Sequence, residues 1–563
     1  MKKIKFLATL LAAGALVACK ETIEPQGSGE NTPTTGEGYV KVSINLPTTS
    51  GFTKSNDDFD DGVESEYAVG DDNWIIFFNN ANKIIDWNNL KTDFGNAGGD
   101  QNVTTTSTVV VEQVDLSATQ VLVVLNASGL LTSTSGEKPT LSVNGMEVST
   151  FSGLLQVLRG EKITVEKFTN PYFLMTNAPI ADKGGSDSDL SNIKVTTLTP
   201  ITTYETKEEA EAASSDQIYV ERAVAKVTIS AFPNELDATG SVLDNSPVTL
   251  LAWTLDNTNE SVKLVRDVTD WATWKNITNT TSSITDNRFF GTASPHRVYW
   301  AIDGNYTEQD REKGLSSIDV ATATTDDWYK SIENEGNPVP AYCFENTFAT
   351  TMDNGTLDPQ AATTRVLFAV QVNPNIKEDG TAASEEDTKA KNFILFGGTT
   401  TVYTATTLAA YIKAYTTDKY EVTVNPDISK GKVYTTIESL YSGEDRLFSV
   451  GVDASNAETI FNLLGGNIRY YKDNVMFYSG AYIEHFGDEY TAVQDPIAVI
   501  QPKSYLGRYG VVRNNWYELN VLSVGIGSPT IPEDPGDLDE EEAYMNVQIN
   551  ILSWAKRSQD VDL

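Results

Sequence analysis

Cys19 is the residue whose setting points most directly to chemistry. Lys2, Lys3 and Lys5 precede an apolar run from Phe6 to Val17, and Leu16-Val17-Ala18-Cys19 closes it. A charged start, an apolar core and a small residue before cysteine make a bacterial lipoprotein export signal. In that reading residues 1–18 are removed and Cys19 takes a fatty acyl group such as palmitate. The plainer alternative is a signal peptide with an incidental cysteine. The second cysteine, Cys343 in AYCFEN, does not read as a disulfide partner but as a small buried hydrophobe. His296 and His485 are the only histidines, too little material for a His-rich metal site. Both read as ordinary strand or loop residues. Lys54, in the polar stretch GFTKSNDD, is suited to a trypsin-like protease.

Other chemical signals are weak. The chain has neither a P-loop glycine pattern nor a G-x-S-x-G elbow, and Gly525-x-Gly527 stands before prolines rather than a helix. The acidic run Asp57–Glu66 breaks the EF-hand pattern because Phe59 takes the third ligand position, so it reads as a solvated charge run. With 78 Asp and Glu, no glycosidase pair stands out. The 9 Trp and 24 Tyr suit β-sandwich cores better than a sugar-stacking platform. No enzyme activity, metal or cofactor is expected. The net charge of −37 becomes −40 once three signal-peptide lysines leave, a field that repels nucleic acid and anionic lipid.

The elements that must position these residues are mostly strands. At 563 residues the chain has room for two or three domains. Residues 20–38 read as a flexible tether. Trp74–Phe78 and Lys83–Trp87 flank a turn at 79–82, and 108–114, 120–126, 223–230 and 364–372 are further strands rich in Val, Ile and Thr. Helices are expected at 408–415 and at 456–464, the latter opened by a Ser455/Glu458 capping box and closed by Gly465. Sandwich-sized units fit roughly 39–220 and 221–540, with 184–191, 203–217 and 374–390 as surface loops. Gly527–Tyr544 joins three prolines to a dense acidic run and is expected to stay extended.

The ends of the chain carry two similar amphipathic strands. Val40, Val42, Ile44 and Leu46 alternate with Lys41, Ser43 and Asn45; Met545, Val547, Ile549 and Ile551 alternate with Asn546, Gln548 and Asn550. Each offers four apolar side chains to one sandwich face over roughly 26 Å. If a protease cuts after Lys54, the first strand can leave and the last strand of another copy can take its groove. Donor and acceptor surfaces differ, so the contact propagates into a filament. Two ordinary edge strands of a monomer remain the plainer reading.

The chain resembles the Bacteroidia fimbrillin family, the type V pilus subunits, and within it the Mfa-type major subunits of short fimbriae. The resemblance rests on the lipobox at Cys19, FLMTN at 173–177, VERAVAKVTI at 220–229 and YYKDNVMFYSGAYIEH at 470–485. VVRNNWYELNVLSV at 511–524 and the ending MNVQINILSWAKRSQDVDL at 545–563 complete it. It implies an all-β fold of two transthyretin-like Greek-key β-sandwiches with a C-terminal donor strand. The implied division is signal peptide 1–18, propeptide 19–54, sandwiches 55–220 and 221–540, and donor segment 541–563. It further implies export to the outer membrane as a lipoprotein lipidated at Cys19 and cleavage at Lys54. Val40 to Leu46 are then the discarded strand and Met545 to Ile551 the donor. Its best-known members are cut after arginine, whereas this region offers only Lys41 and Lys54. Implied partners are other copies of the chain, anchor and tip subunits, a trypsin-like maturation protease and host or bacterial surface ligands. A stalk subunit that supports adhesion is the reading that explains both end strands. A surface glycan-binding lipoprotein of an outer-membrane uptake system is the alternative, and a surface hydrolase with two converging carboxylates the third.

Overall fold

The computed structural model describes residues 21–23, 37–46, 64–92, 94, 106–135, 139–159, 163–182, 194–269, 296–305, 315–316, 318–319, 322–347, 363–384, 386–397, 401–483, 485, 510–532 and 545–552. The Cys19 and Lys54 expectations lie outside them.

In the N-terminal part, strands β1 (Glu37–Asn45), β2 (Trp74–Phe78), β3 (Ile84–Asn89), β4 (Thr106–Asp115), β5 (Gln120–Leu125), β6 (Met175–Asn177) and β7 (Asp216–Arg222) form one hydrogen-bonded path in the order β4-β1-β7-β6-β5-β2-β3. β7 joins the two layers. Its first half pairs in parallel with β1, and its second half pairs antiparallel with β6. Val40, Val42 and Ile44 of β1 meet Val109 and Val111 of β4, Ile75 and Phe77 of β2, and Val121 and Val123 of β5 in one buried core. Period-two alternation produced these strands, and sandwich packing buries the alternate set. The turn before β3 is fixed by Asn79, whose Oδ1 accepts from the amides of Ala81 and Lys83 at 3.0 and 3.1 Å.

Two stretches differ from the sequence reading. Residues 21–23 of the expected tether form a short strand parallel to Val109–Val111. The expected loop 203–217 contains helix α1 (Lys207–Ala212), opened by a Thr206/Glu209 capping box. Its polar composition masked a helix because Thr-x-x-Glu supplies the cap while only Ala210 faces the core.

The C-terminal part holds a second sandwich. β8 (Ala225–Ala231), β10 (Ala341–Cys343), β16 (Trp516–Val524) and β17 (Met545–Leu552) form one sheet, ordered β10-β8-β16-β17. β9 (Val248–Asp256), β11 (Arg365–Val372) and β15 (Val475–Tyr482) form the other. Val227, Ile229, Trp253, Phe368, Met476 and Leu519 fill the space between. Between β11 and β15 the chain builds a separate α/β core from β12 (Phe393–Phe396), β13 (Lys432–Tyr434), β14 (Ile468–Tyr471), α2 (Ala405–Tyr415) and α3 (Ala457–Leu463). The α3 N-cap is Asn456 rather than the expected Ser455, whose hydroxyl instead bonds Asp453 at 2.5 Å. The expected all-β class with two sandwiches is thus what the chain adopts, with this lobe added.

Candidate functional site

β1 is not an edge strand. It lies between β4 and β7, antiparallel to the first over Val40–Asn45 and parallel to the second over Val42–Asn45. Val40, Val42 and Ile44 are 0% exposed and Leu46 is 1% exposed. Burying four such side chains stabilises the seated strand by roughly 6–12 kcal/mol. The polar face is held as well. Lys41 Nζ donates to the carbonyls of Glu211 and Ala213 at the end of α1, at 2.9 and 2.8 Å. Ser43 Oγ bonds Thr108 Oγ1 and Ser215 Oγ, both at 2.6 Å. Asn45 spans both walls: its Nδ2 donates to Gln217 Oε1 at 3.1 Å and Ile218 O at 3.2 Å, while its Oδ1 accepts from Thr106 Oγ1 at 2.9 Å. At Gly38 a side chain would strike Leu116 and the Tyr204 carbonyl, so the backbone approaches closely there. Without β1 the sheet would present a groove with two unpaired edges and four apolar pockets.

β17 sits at the edge of its sheet and, among the described residues, pairs with β16 alone. It runs antiparallel along the whole of β16. Its tether differs from the expected free linker. Tyr471 Oη donates to Gly527 O at 2.8 Å, Tyr478 Oη to Gly525 O at 2.7 Å, and Ser528 exchanges backbone bonds with Phe477. A Cβ at Gly527 would meet the Phe477 carbonyl and the Tyr478 ring, which explains the glycine. Ile531 is buried. The arm that carries β17 therefore begins after Pro532, and residues 533–544 span at most roughly 40 Å.

The junction between the sandwiches is built from charges that sequence reasoning did not single out. β7 and β8 are consecutive, and their residues Glu221, Arg222 and Lys226 point into it. Glu66 accepts from Lys226 Nζ at 2.8 Å and Tyr342 Oη at 2.5 Å, and its carbonyl accepts from Arg222 Nε at 2.6 Å. Lys226 Nζ also lies 3.7 Å from the Trp516 ring centre. Deeper in, Arg266 Nε is 2.8 Å from Glu221, and Arg513 Nη2 is 2.8 Å from Glu345. Burial pushes the Glu221 carboxyl up, while Arg266, Arg297 and Arg513 pull it back. The Glu221 and Glu345 carboxylates are thus buried against arginines. His485 is buried here too, with Nδ1 2.8 Å from Tyr517 Oη; desolvation pushes its pKa down to about 3, so it stays neutral. Charged letters inside apolar strands, as in VERAVAKV, were the available signal.

Cys343 lies in the C-terminal core, where burial pushes its thiol up to about 12. Exposed Tyr415 joins Tyr403 and Tyr411 in an aromatic cluster around α2. Its rings are tilted by 65° and 38° to their neighbours and form no flat stacking face. Among the described residues no cluster of three His, Cys, Asp or Glu is placed to hold a metal, and no helix is long and apolar enough to cross a membrane.

Residues 469–560, which include β15, β16 and β17, match the family model described as major fimbrial subunit protein type IV, fimbrillin, C-terminal. No curated protein matches the chain at a significant level. Among solved structures, a cell adhesion protein from Bacteroides eggerthii is similar over 93% of this chain and 98% of its own, at 10% identity and a TM-score of 0.35. A fimbrilin from Porphyromonas gingivalis is similar over 92% of this chain and 98% of its own, at 11% identity and a TM-score of 0.35. The tip fimbrial protein Mfa3 of the same organism is similar over 92% of this chain and 100% of its own, at 9% identity and a TM-score of 0.31. Over residues 469–560 the chain is thus similar to the C-terminal part of the fimbrillins, the family that the sequence resembles.

Proposed function

We propose that the chain is a stalk subunit of a cell-surface fimbria, exported as a lipoprotein acylated at Cys19, cut next to Lys54 and polymerised by donor-strand exchange. The observation that carries this reading is the asymmetry between the two end strands. β1 is central, with ladders on both sides and its apolar face fully buried, whereas β17 of equal reach occupies an edge with one ladder. A β17 that enters the β1 groove of another copy gains a second ladder and four apolar pockets. The anchor at Gly525–Ile531 keeps the donor arm attached while β17 moves. Other copies of the chain, anchor and tip subunits and a maturation protease are the partners this mechanism needs.

The test is the N-terminal residue of the protein in high-molecular-weight material sheared from cells, read by mass spectrometry. A start at or near Ser55 is expected. Assembled material that still begins with lipidated Cys19 would overturn the mechanism.

Cutting alone is not expected to empty the groove. The hydrogen bonds of Lys41, Ser43 and Asn45 and the buried apolar face hold β1 on its upstream side, and Glu66 holds the downstream chain. After limited cleavage by a lysine-specific protease, both fragments should run as one species in native size-exclusion chromatography and separate only in denaturant. Immediate release of the N-terminal fragment would contradict this.

A further inference from the structure

The two end strands share more than alternation. Residues 37–46 read EGYVKVSINL, and residues 542–551 read EAYMNVQINI. Laid over each other in the same direction they agree at Glu37/Glu542, Tyr39/Tyr544, Val42/Val547, Ile44/Ile549 and Asn45/Asn550. The reversed alignment keeps the apolar alternation and also places an asparagine, Asn546, opposite Asn45, but the other identities vanish.

The groove explains why asparagine recurs at that point. Thr106 Oγ1 offers a hydrogen from one wall, while Gln217 Oε1 and Ile218 O accept from the other. Only a side chain that both donates and accepts satisfies all three, and Asn45 is itself 5% exposed. An apolar side chain there would leave these groups buried and unpaired. Sliding the incoming strand by two residues puts Leu552 or Gln548 at this position, and in one case Ser553 in an apolar pocket.

We infer that the incoming strand of a second copy copies β1 in both direction and register: it runs parallel to β7 and antiparallel to β4, and Asn550 takes the place of Asn45 between Thr106 and Gln217. This rests on the exchange reading above. Val547 and Ile549 then fill the pockets of Val42 and Ile44, with Met545 and Ile551 at those of Val40 and Leu46. Two positions are not copied. Asn546 is too short to repeat the grip of Lys41 on α1. Ala543 at the Gly38 position requires Leu116 and the Tyr204 carbonyl to give way.

The test uses full-length chains carrying Thr106→Cys mixed with chains carrying one cysteine at position 546, 548, 550 or 552, cleaved, assembled and oxidised. Thr106 is the direct cross-strand neighbour of Asn45, close enough for a disulfide to the residue that replaces it. A cross-link with Asn550→Cys alone is expected. Cross-linking with Asn546→Cys would overturn the direction, and with Gln548→Cys or Leu552→Cys the register. Polymers with no cross-link at all would overturn both. Failure of the unsubstituted chain to polymerise would instead bring down the exchange reading itself. Independently, Asn550→Leu should make polymers dissociate in denaturant roughly ten- to a hundredfold faster, while Asn546→Leu changes the rate little. Equal rates for the two variants would remove the asparagine from its assigned place.

Discussion

A chain lacking residues 545–563 is expected to remain a folded monomer and to form no polymer. The fold is expected to survive because the deletion takes one edge strand from the β10-β8-β16-β17 sheet, while Val227, Ile229, Trp253, Phe368, Met476 and Leu519 still fill the C-terminal core. Among the described residues, no strand of the N-terminal sandwich pairs with the deleted segment. What the deletion removes is the segment whose sequence matches β1. The freed edge of β16, with Leu522 already 54% exposed, makes the truncated chain stickier, so monomer must be separated from amorphous aggregate by size-exclusion chromatography. The readout is the ladder of detergent-resistant polymers after cleavage. A ladder of unchanged length would sink the donor assignment, whatever happened to stability.

Glu345→Leu should have the largest effect on folding. The Glu345 carboxylate is 2.8 Å from Arg513 and 3.8 Å from Arg266, and both arginines are 0% exposed. Leucine fills similar space but leaves Glu221 as the one remaining acid against Arg266, Arg297 and Arg513 in this group. Breaking a buried pair from one side costs about 3–5 kcal/mol, because the orphaned charge cannot recover its water. Urea unfolding of the full chain measures this. The difference from the unsubstituted chain should be nearly the same at low and high salt, since ions do not reach the junction. A loss below about 1 kcal/mol would mean that the arginines find water or other acceptors. Disrupting the exposed pair Lys413–Glu421, by contrast, should alter stability little.

The parts of this molecule that were legible in the sequence are those in which local pattern and tertiary fate agree. Trp74–Phe78, Gln120–Leu125 and Arg365–Val372 are short apolar β-branched and aromatic runs, and each became a buried strand. The apolar set of β1 was legible for the same reason. Its place in the middle of a sheet was not, because alternation states which face is buried and says nothing about neighbours. The junction was hidden more deeply. Glu66 meets Lys226 across 160 residues and Glu345 meets Arg513 across 168, and no local rule distinguishes those charges from solvated ones. The anchor of the arm was not legible because Gly, Ser and Pro at 527–532 look like a linker, while Tyr471 Oη and the Phe477 backbone supply the hydrogen bonds that fix Gly527 and Ser528.

The run from Asp216 to Ala231 crosses from one sandwich to the other with a bend only at Ala223 and Val224. Its first half lines the β1 groove, and its second half pairs in parallel with β16, next to the arm. In a filament of such subunits, tension entering through an inserted strand would pass along this backbone and leave through the next arm. It would pull strands along their length, so that many hydrogen bonds share the load instead of opening one after another. The charged junction braces the bend in that path. Under stretching the subunits should therefore act as stiff links.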